Sequence, residues 1–320
     1  MEPTPDSLTL TILGCGTMGV AILSGILSSL STSLSTSLSR LPPSASGTST
    51  PTGGALLPTR FHDASRTPTR LPSKFIACVK RPESASRVRR AFEGFAGAPA
   101  VEVYTGRNVE GVRGADVVIL GCKPQMYAEI LREEGMREAL EGKLLVSILA
   151  GVKIAALRVV VPYSTRVVRA MPNTASMIRE SMTVISAEDD ISPEEKALVS
   201  WIFSQVGRSL VLGEKHMNAC TALCGSGPAF YALIVEAMAD GGVMMGLPRA
   251  EAQMMAAQTM QGAGRMVLAG HHPAIIREQV STPAGCTTHG LLILEDGKVR
   301  STIARTIREA TNMAAGLGKK

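Results

Sequence analysis

Gly14-Cys15-Gly16-Thr17-Met18-Gly19 constrains this chain more than any other stretch. Before it, Leu8 to Leu13 is a short apolar, β-branched run that reads as a buried strand. After it, Val20 to Leu30 reads as a helix. A strand feeding a helix through G-x-G-x-x-G is the start of a dinucleotide-binding βαβ unit. The first glycine, Gly14, allows the tight turn; the second, Gly16, lets the backbone approach a pyrophosphate; the third, Gly19, lets helix and strand pack closely. Phosphates held there would meet free N–H groups and the positive end of the helix dipole. The competing reading is a glycine-rich turn that serves packing alone.

The next strand should follow closely, but a Ser/Thr/Pro-rich tract occupies roughly residues 28–73. Such a composition buries too little apolar surface to offset its ordering entropy, and a disordered surface insertion is expected. The second strand is expected at Phe75 to Val79, followed by Lys80-Arg81-Pro82. An NAD site places an acid at this point, whereas two cations suit the 2′-phosphate of NADPH, unless they are simply exposed surface charge. Further strands are expected at Val101 to Tyr104, Val117 to Leu120, Leu144 to Leu149, Val167 to Ala170 and Ser209 to Leu212, with a helix over 193–206. In an open parallel sheet the loops at the strands' carboxyl ends carry the ligand. That directs Cys122-Lys123-Pro124 and Ala150-Gly151-Val152 toward the dinucleotide.

From Glu214 the apolar period lengthens to three and four, and Met- and Ala-rich helices dominate. So many apolar faces with so little chain to cover them suggest an interlocked homodimer or larger homo-oligomer. One segment interrupts the helices. Ser281-Thr-Pro-Ala-Gly-Cys-Thr-Thr-His-Gly290 is polar and small, its amides unshielded, and it leads into a helix beginning near Thr287. It reads either as a second anion site or as an ordinary helix–helix turn. The fold expected is α/β: a Rossmann-type dinucleotide-binding domain over 1–213, then an all-α dimerisation and substrate domain over 214–320.

The totals remove several classes. A net charge of +6, scattered and with only 3% aromatic residues, gives no nucleic-acid surface. The N-terminus, MEPTPDSLTL, carries acids and no arginine, unlike a secretory or transit segment. The apolar stretch from Leu8 to Leu30 is broken by Gly, Ser and Thr and starts as a strand, so no membrane span is expected. The 6 cysteines form no CxxC pair and the 5 histidines are scattered; reduced thiols, no metal site and a cytoplasmic location are expected.

Several stretches, in order along nearly the whole chain, together resemble pyrroline-5-carboxylate reductases: GCGTMG, CKPQ, SILAGV, RAMPNT, GSGPAFYA, GGVMMGLPR and STPAGCTTHGLLILEDG. The insertion and the "HHP" segment resemble fungal versions. The resemblance implies reduction of 1-pyrroline-5-carboxylate to L-proline by NADPH, with NADH also possible. It implies that Cys15, Thr17 and Met18 line the pyrophosphate loop and that Lys80, Arg81 and Pro82 lie at the adenosine ribose and its phosphate. Asn108 would contact that ribose; Cys122, Lys123 and Ala150 would lie along the cofactor, and Gln279 would touch the nicotinamide. Glu214, Cys286 and Thr287 match positions around the substrate, with the Gly285 and Cys286 amides suited to its carboxylate. The family's Ser-Pro-Gly-Gly is Thr282-Pro283-Ala284-Gly285 here, which strains Ala284 if a positive φ is required.

The substrate is a cyclic imine whose protonated C=N carbon accepts hydride directly. No strong general acid is required, and catalysis becomes positioning, with Thr287 able to hydrogen-bond the ring nitrogen. A β-hydroxyacid dehydrogenase would instead need a lysine on the first helix of the second domain; no lysine lies between Gly225 and Gly246. A protein that only senses NADPH could lose the second glycine loop, and here it is intact.

Overall fold

The computed structural model describes residues 7–38, 68–95 and 99–317. The chain divides into two compact units. The first contains a single eight-stranded sheet, extends through Gly225 and takes in the C-terminal residues from Ala310; the second holds Ser226–Glu309.

In the first unit, β1 (Leu8–Leu13), β2 (Pro72–Val79), β3 (Val101–Thr105), β4 (Val117–Leu120), β5 (Leu144–Ser147) and β6 (Arg166–Met171) are all parallel. β7 (Ser181–Ala187) runs antiparallel to β6, and β8 (Gly207–Val211) runs parallel to β7. The order is β3-β2-β1-β4-β5-β6-β7-β8. The change of winding direction at β1 and β4 is where a doubly wound sheet opens its ligand crevice.

Two apolar layers sandwich the sheet. On one face α1 (Thr17–Leu38), α2 (Pro82–Phe92) and α7 (Pro193–Ser204) bury Ile22, Ile26, Val88, Ile202 and Phe203 against Leu10 and Ile12 of β1. On the other, the short helices α3 (Asn108–Arg113), α4 (Tyr127–Leu131), α5 (Met136–Ala139) and α6 (Ile154–Arg158) pack over Leu13, Val118, Leu120 and Leu145. The strand period of two sends successive β1 residues to opposite layers. α7 starts from a full capping box, in which the Ser192 hydroxyl accepts the Glu195 amide and Glu195 accepts the Ser192 amide.

Three expectations need correction. α1 does not stop at Leu30; residues 28–38, expected to be disordered, are helical. Leu23, Leu27, Leu30, Leu34 and Leu38 recur at three and four, and the Ser28 and Ser31 hydroxyls bond back to Ser24 and Ser28 carbonyls, which suits a helix. The rest of the insertion, residues 39–67, lies outside the described residues, and β2 begins at Pro72, three residues before the expected Phe75. Finally, β7 was not expected, because Ser181, Thr183 and Ser186 are polar yet buried, masking its β-branched centre.

The segment after β8 comprises a 3-10 turn at Glu214–His216, α8 (Met217–Cys220) and a π-turn at Thr221–Gly225. In the second unit, α9 (Gly227–Met244) and α10 (Arg249–Leu268) form a hairpin whose seam is Ala239, Ala252 and Ala256. A Cβ on Gly242 would stand 3.2 Å from that of Ala252. α11 (Pro273–Val280), α12 (Cys286–Asp296) and α13 (Val299–Gly316) complete the helices. This unit leaves Met244, Met254, Ile293 and Leu294 exposed. Glu214–Met244 is long and apolar enough to cross a membrane by length and composition, and is the only such stretch among the described residues.

Candidate functional site

The carboxyl ends of the central strands are stitched together by backbone hydrogen bonds. Gly14 and Cys15 both donate to the Cys78 carbonyl of β2, at 3.1 and 2.9 Å. Gly106, past β3, donates to Val79; Gly121, past β4, donates to Leu13; Ile148, past β5, donates to Leu120. The carboxyl ends of five neighbouring strands therefore form one rim.

Each glycine of the first loop has a distinct geometry. Gly14 has φ +86°, and a Cβ there would stand 2.7 Å from the Cys122 amide nitrogen. Gly19 faces β1, with a Cβ 2.9 Å from Ile12 Cγ2. Gly16 faces open space, with nothing within 4 Å. Beside it, the amides of Thr17, Met18 and Gly19 open α1 and have no backbone acceptor among the described residues; the first recovered bond is Val20 to Gly16. Three free N–H groups beside an uncluttered glycine form an anion cradle.

Cys15 lies within the same loop. Its side chain is buried and its amide is spent on Cys78, so it shapes the turn from within. Burial pushes its thiol, and that of Cys78, up to about 12, the neighbouring thiol adding to the shift at Cys15. Burial also raises Cys122 to about 11. Burial thus disfavours the thiolate form of all three. Among the described residues no cluster of His, Cys, Asp or Glu could hold a metal.

Lys80 and Arg81 follow β2 directly, exposed, at the start of α2, with Pro82 as its first residue. Neither has an ion-pair partner among the described residues. Nearby Arg107 contrasts with them: it pairs with Glu110 and lies 4.7 Å over the Tyr104 ring. Asn108 opens α3 and donates from Nδ2 to Glu133 at 2.8 Å. Cys122 is half-buried, and exposed Lys123 precedes a 3-10 turn begun by Pro124. Ala150 is half-buried, and Gly151 turns the chain with φ +76°.

Glu214 sits in the first unit. Its Oε1 accepts the Ile154 amide at 2.7 Å and Arg169 Nη1 at 2.9 Å. A cavity of about 130 Å³ adjoins it, lined by Lys153, Arg169, Glu214, Lys215 and Asn218. Sequence reasoning missed Arg169. Its signal was a charge among the apolar residues Val167, Val168, Ala170 and Met171 of β6, all of them buried.

The second glycine loop lies in the second unit. Gly285 is the N-cap of α12, which starts at Cys286 rather than near Thr287. The Gly285 amide donates to the Thr282 carbonyl at 3.0 Å. The amides of Cys286 and Thr287 remain without a backbone acceptor among the described residues. Gly285 is needed for space: a Cβ there would stand 2.5 Å from Thr282 Oγ1 and 2.9 Å from its carbonyl. Cys286 is exposed, Thr287 half-buried, and Gln279 exposed in the last turn of α11.

Ala284 adopts φ +57°, the left-handed region in which a Cβ is strained. Ala284→Gly is expected to stabilise the protein by about 0.5–1 kcal/mol, the strain relieved being partly offset by glycine's larger unfolded-state entropy. A calorimetric melting temperature that fails to rise would show the strain absorbed elsewhere.

Comparison with known proteins extends these observations over the whole chain. The profile described as pyrroline-5-carboxylate reductase dimerisation matches residues 214–317, and one described as NADP oxidoreductase coenzyme F420-dependent matches 52–151. A pyrroline-5-carboxylate reductase of Lophium arboricola is 49% identical over 98% of this chain and 94% of its own length. The Schizosaccharomyces pombe protein of the same name is 47% identical, covering 96% and 98%. Among solved structures, a pyrroline-5-carboxylate reductase from Coxiella burnetii shares the fold with a TM-score of 0.74 at 24% identity, over 98% of this chain and 100% of its own.

Proposed function

The chain belongs to the pyrroline-5-carboxylate reductase family, and from that premise we propose which of its residues carry the reaction. The protein is an NAD(P)H-dependent oxidoreductase that reduces 1-pyrroline-5-carboxylate to L-proline, the last step of proline biosynthesis, with NADPH as its reductant. The observation that carries the assignment of residues is the trio of free amides at Thr17, Met18 and Gly19 beside open Gly16.

The residues present fit the cofactor. The α1 amides would hold its pyrophosphate, and the unpaired cations Lys80 and Arg81, at the positive end of α2, would hold the 2′-phosphate. Pro82 and Asn108 would flank the adenosine ribose; Cys122, Lys123, Pro124 and Ala150 would line the path toward the nicotinamide, and Gln279 would be a nicotinamide contact. When bound, the dihydronicotinamide supplies the hydride.

The substrate's carboxylate would be held by the Cys286 and Thr287 amides, and the Thr287 hydroxyl would hydrogen-bond the ring nitrogen. Glu214 would be a fixed anion complementing the positive charge of the protonated imine. Holding that species in place is most of what the site must do, because its C=N carbon is already electrophilic. We place the helical dimerisation and substrate domain at 214–320, after a dinucleotide domain at 1–213. The exposed apolar side chains of α9 to α12 support a homodimer, and the uncharged interior thiols are consistent with a reducing cytoplasm.

Replacing Lys80 and Arg81 together with serine should raise the KM for NADPH roughly tenfold while barely moving that for NADH, since NADH has no 2′-phosphate to lose. Steady-state oxidation of each cofactor with pyrroline-5-carboxylate reads this out. Equal changes for both would place the two cations on open surface.

A further inference from the structure

We infer that Arg169 is a positioning residue for the reduction, acting through Glu214; this rests on the placement of Glu214 at the substrate. Arg169 lies in β6 with its side chain 2% exposed. Its neighbours across the sheet are Ser147 on β5 and Ser186 on β7, both buried and neither charged. Its one ion-pair partner among the described residues is Glu214, 45 residues later in the chain. Glu214 itself is 30% exposed, beside the cavity that Lys153 and Lys215 also line.

The bonding is lopsided on both sides. Both bonds to Glu214 fall on Oε1, one from the Ile154 amide and one from Arg169 Nη1. Two donors on one oxygen fix the plane of the carboxylate and leave Oε2 without a protein donor among the described residues, available to a ligand. On the arginine, Nε and Nη2 are buried and have no hydrogen-bond partner among the described residues. A buried cation satisfied through one nitrogen is a poor stabilising device: its desolvation is incompletely offset, and an apolar side chain of similar length would pack without that cost. A costly group held against a site carboxylate is the pattern expected where the chemistry, not the fold, requires it.

The Ile154 bond adds a second consequence. Ile154 opens α6, after the Ala150–Lys153 loop that follows β5. Glu214 therefore ties that loop to the chain leaving β8, and Arg169 holds the tie from beneath the sheet surface. Orientation of the substrate-facing oxygen is set by a residue that never meets the substrate.

A double-mutant cycle tests this on the full-length enzyme. Arg169→Met should lower kcat/KM for pyrroline-5-carboxylate roughly tenfold, mainly through KM, while leaving the NADPH dissociation constant within about twofold. Its melting temperature should be unchanged or higher, an outcome that a purely structural arginine would not produce. Arg169→Lys should retain part of the activity, because one donor can still reach Oε1. In a Glu214→Gln background the Arg169→Met change should cost less than about twofold, since the group it orients is already altered. Additive losses would overturn the proposal while leaving Glu214 at the substrate. A Glu214→Gln enzyme as active as the parent would sink both readings together. Should Arg169→Met not fold, the cycle is run with Arg169→Lys, and additivity there is equally decisive.

Discussion

Gly14→Ala is expected to destabilise the protein by about 3 kcal/mol and to weaken NADPH binding by roughly a hundredfold or more. Two independent costs combine at that position. The φ of +86° lies where L-residues are strained, and the added Cβ would stand 2.7 and 2.8 Å from the nitrogen and Cα of Cys122. Backbone atoms cannot swing aside as a side-chain end can. Relief requires the β1–α1 loop and the loop after β4 to part, and both border the proposed phosphate cradle. Gly16→Ala is the control: its φ is ordinary and its Cβ would meet nothing within 4 Å. That variant should melt like the parent yet bind NADPH poorly, because the methyl group occupies the space left for the pyrophosphate. Calorimetry and fluorescence titration on both variants separate the two effects. Normal NADPH affinity in Gly16→Ala would remove this loop from the cofactor site.

The same pair of glycines shows why half of the site is legible in the sequence. Strand, glycine spacing and helix are contiguous, so local chemistry determines where the amides point, and β1 begins and ends where the apolar run does. The Lys80-Arg81 reading is equally local, resting only on the two residues that come directly after the second strand. Arg169 and Glu214 are the opposite case. Their pairing depends on how β6 and the segment after β8 are brought together, and no spacing rule connects residues 45 positions apart. β7 was missed for a related reason: three of its buried positions, Ser181, Thr183 and Ser186, are polar, and the Ser181 hydroxyl accepts the Asn173 amide and shares a hydrogen bond with Thr183. Tertiary satisfaction allowed polar residues where periodicity expects apolar ones. The extension of α1 is a failure of another kind. There the Leu period at three and four prevails over a Ser/Thr-rich composition, and the chain is helical to Leu38.

Thr287→Ala is expected to lower kcat/KM for pyrroline-5-carboxylate by about one to two orders of magnitude, equivalent to roughly 1.4–2.7 kcal/mol of transition-state stabilisation. That is the size of one well-placed hydrogen bond lost from an enclosed site. Were Thr287 the N-cap of its helix, its removal would cost about 1 kcal/mol of stability. The structure assigns the cap to Gly285, which has no side chain to contribute, and places Thr287 inside the first turn of α12. The cap explanation for a kinetic defect therefore falls away, and the melting temperature should stay within a degree or so, about the shift produced by 0.3 kcal/mol. Thr287→Ser keeps the hydroxyl and should retain most of the activity. NADPH affinity should hardly change in either variant, because the phosphates and adenosine are assigned to the first unit's loops. Kinetics, melting and cofactor titration on a single preparation decide the matter. A Thr287→Ala enzyme that turns over normally would show that the loop holds its substrate by the Cys286 and Thr287 amides alone, with the ring nitrogen left to solvent.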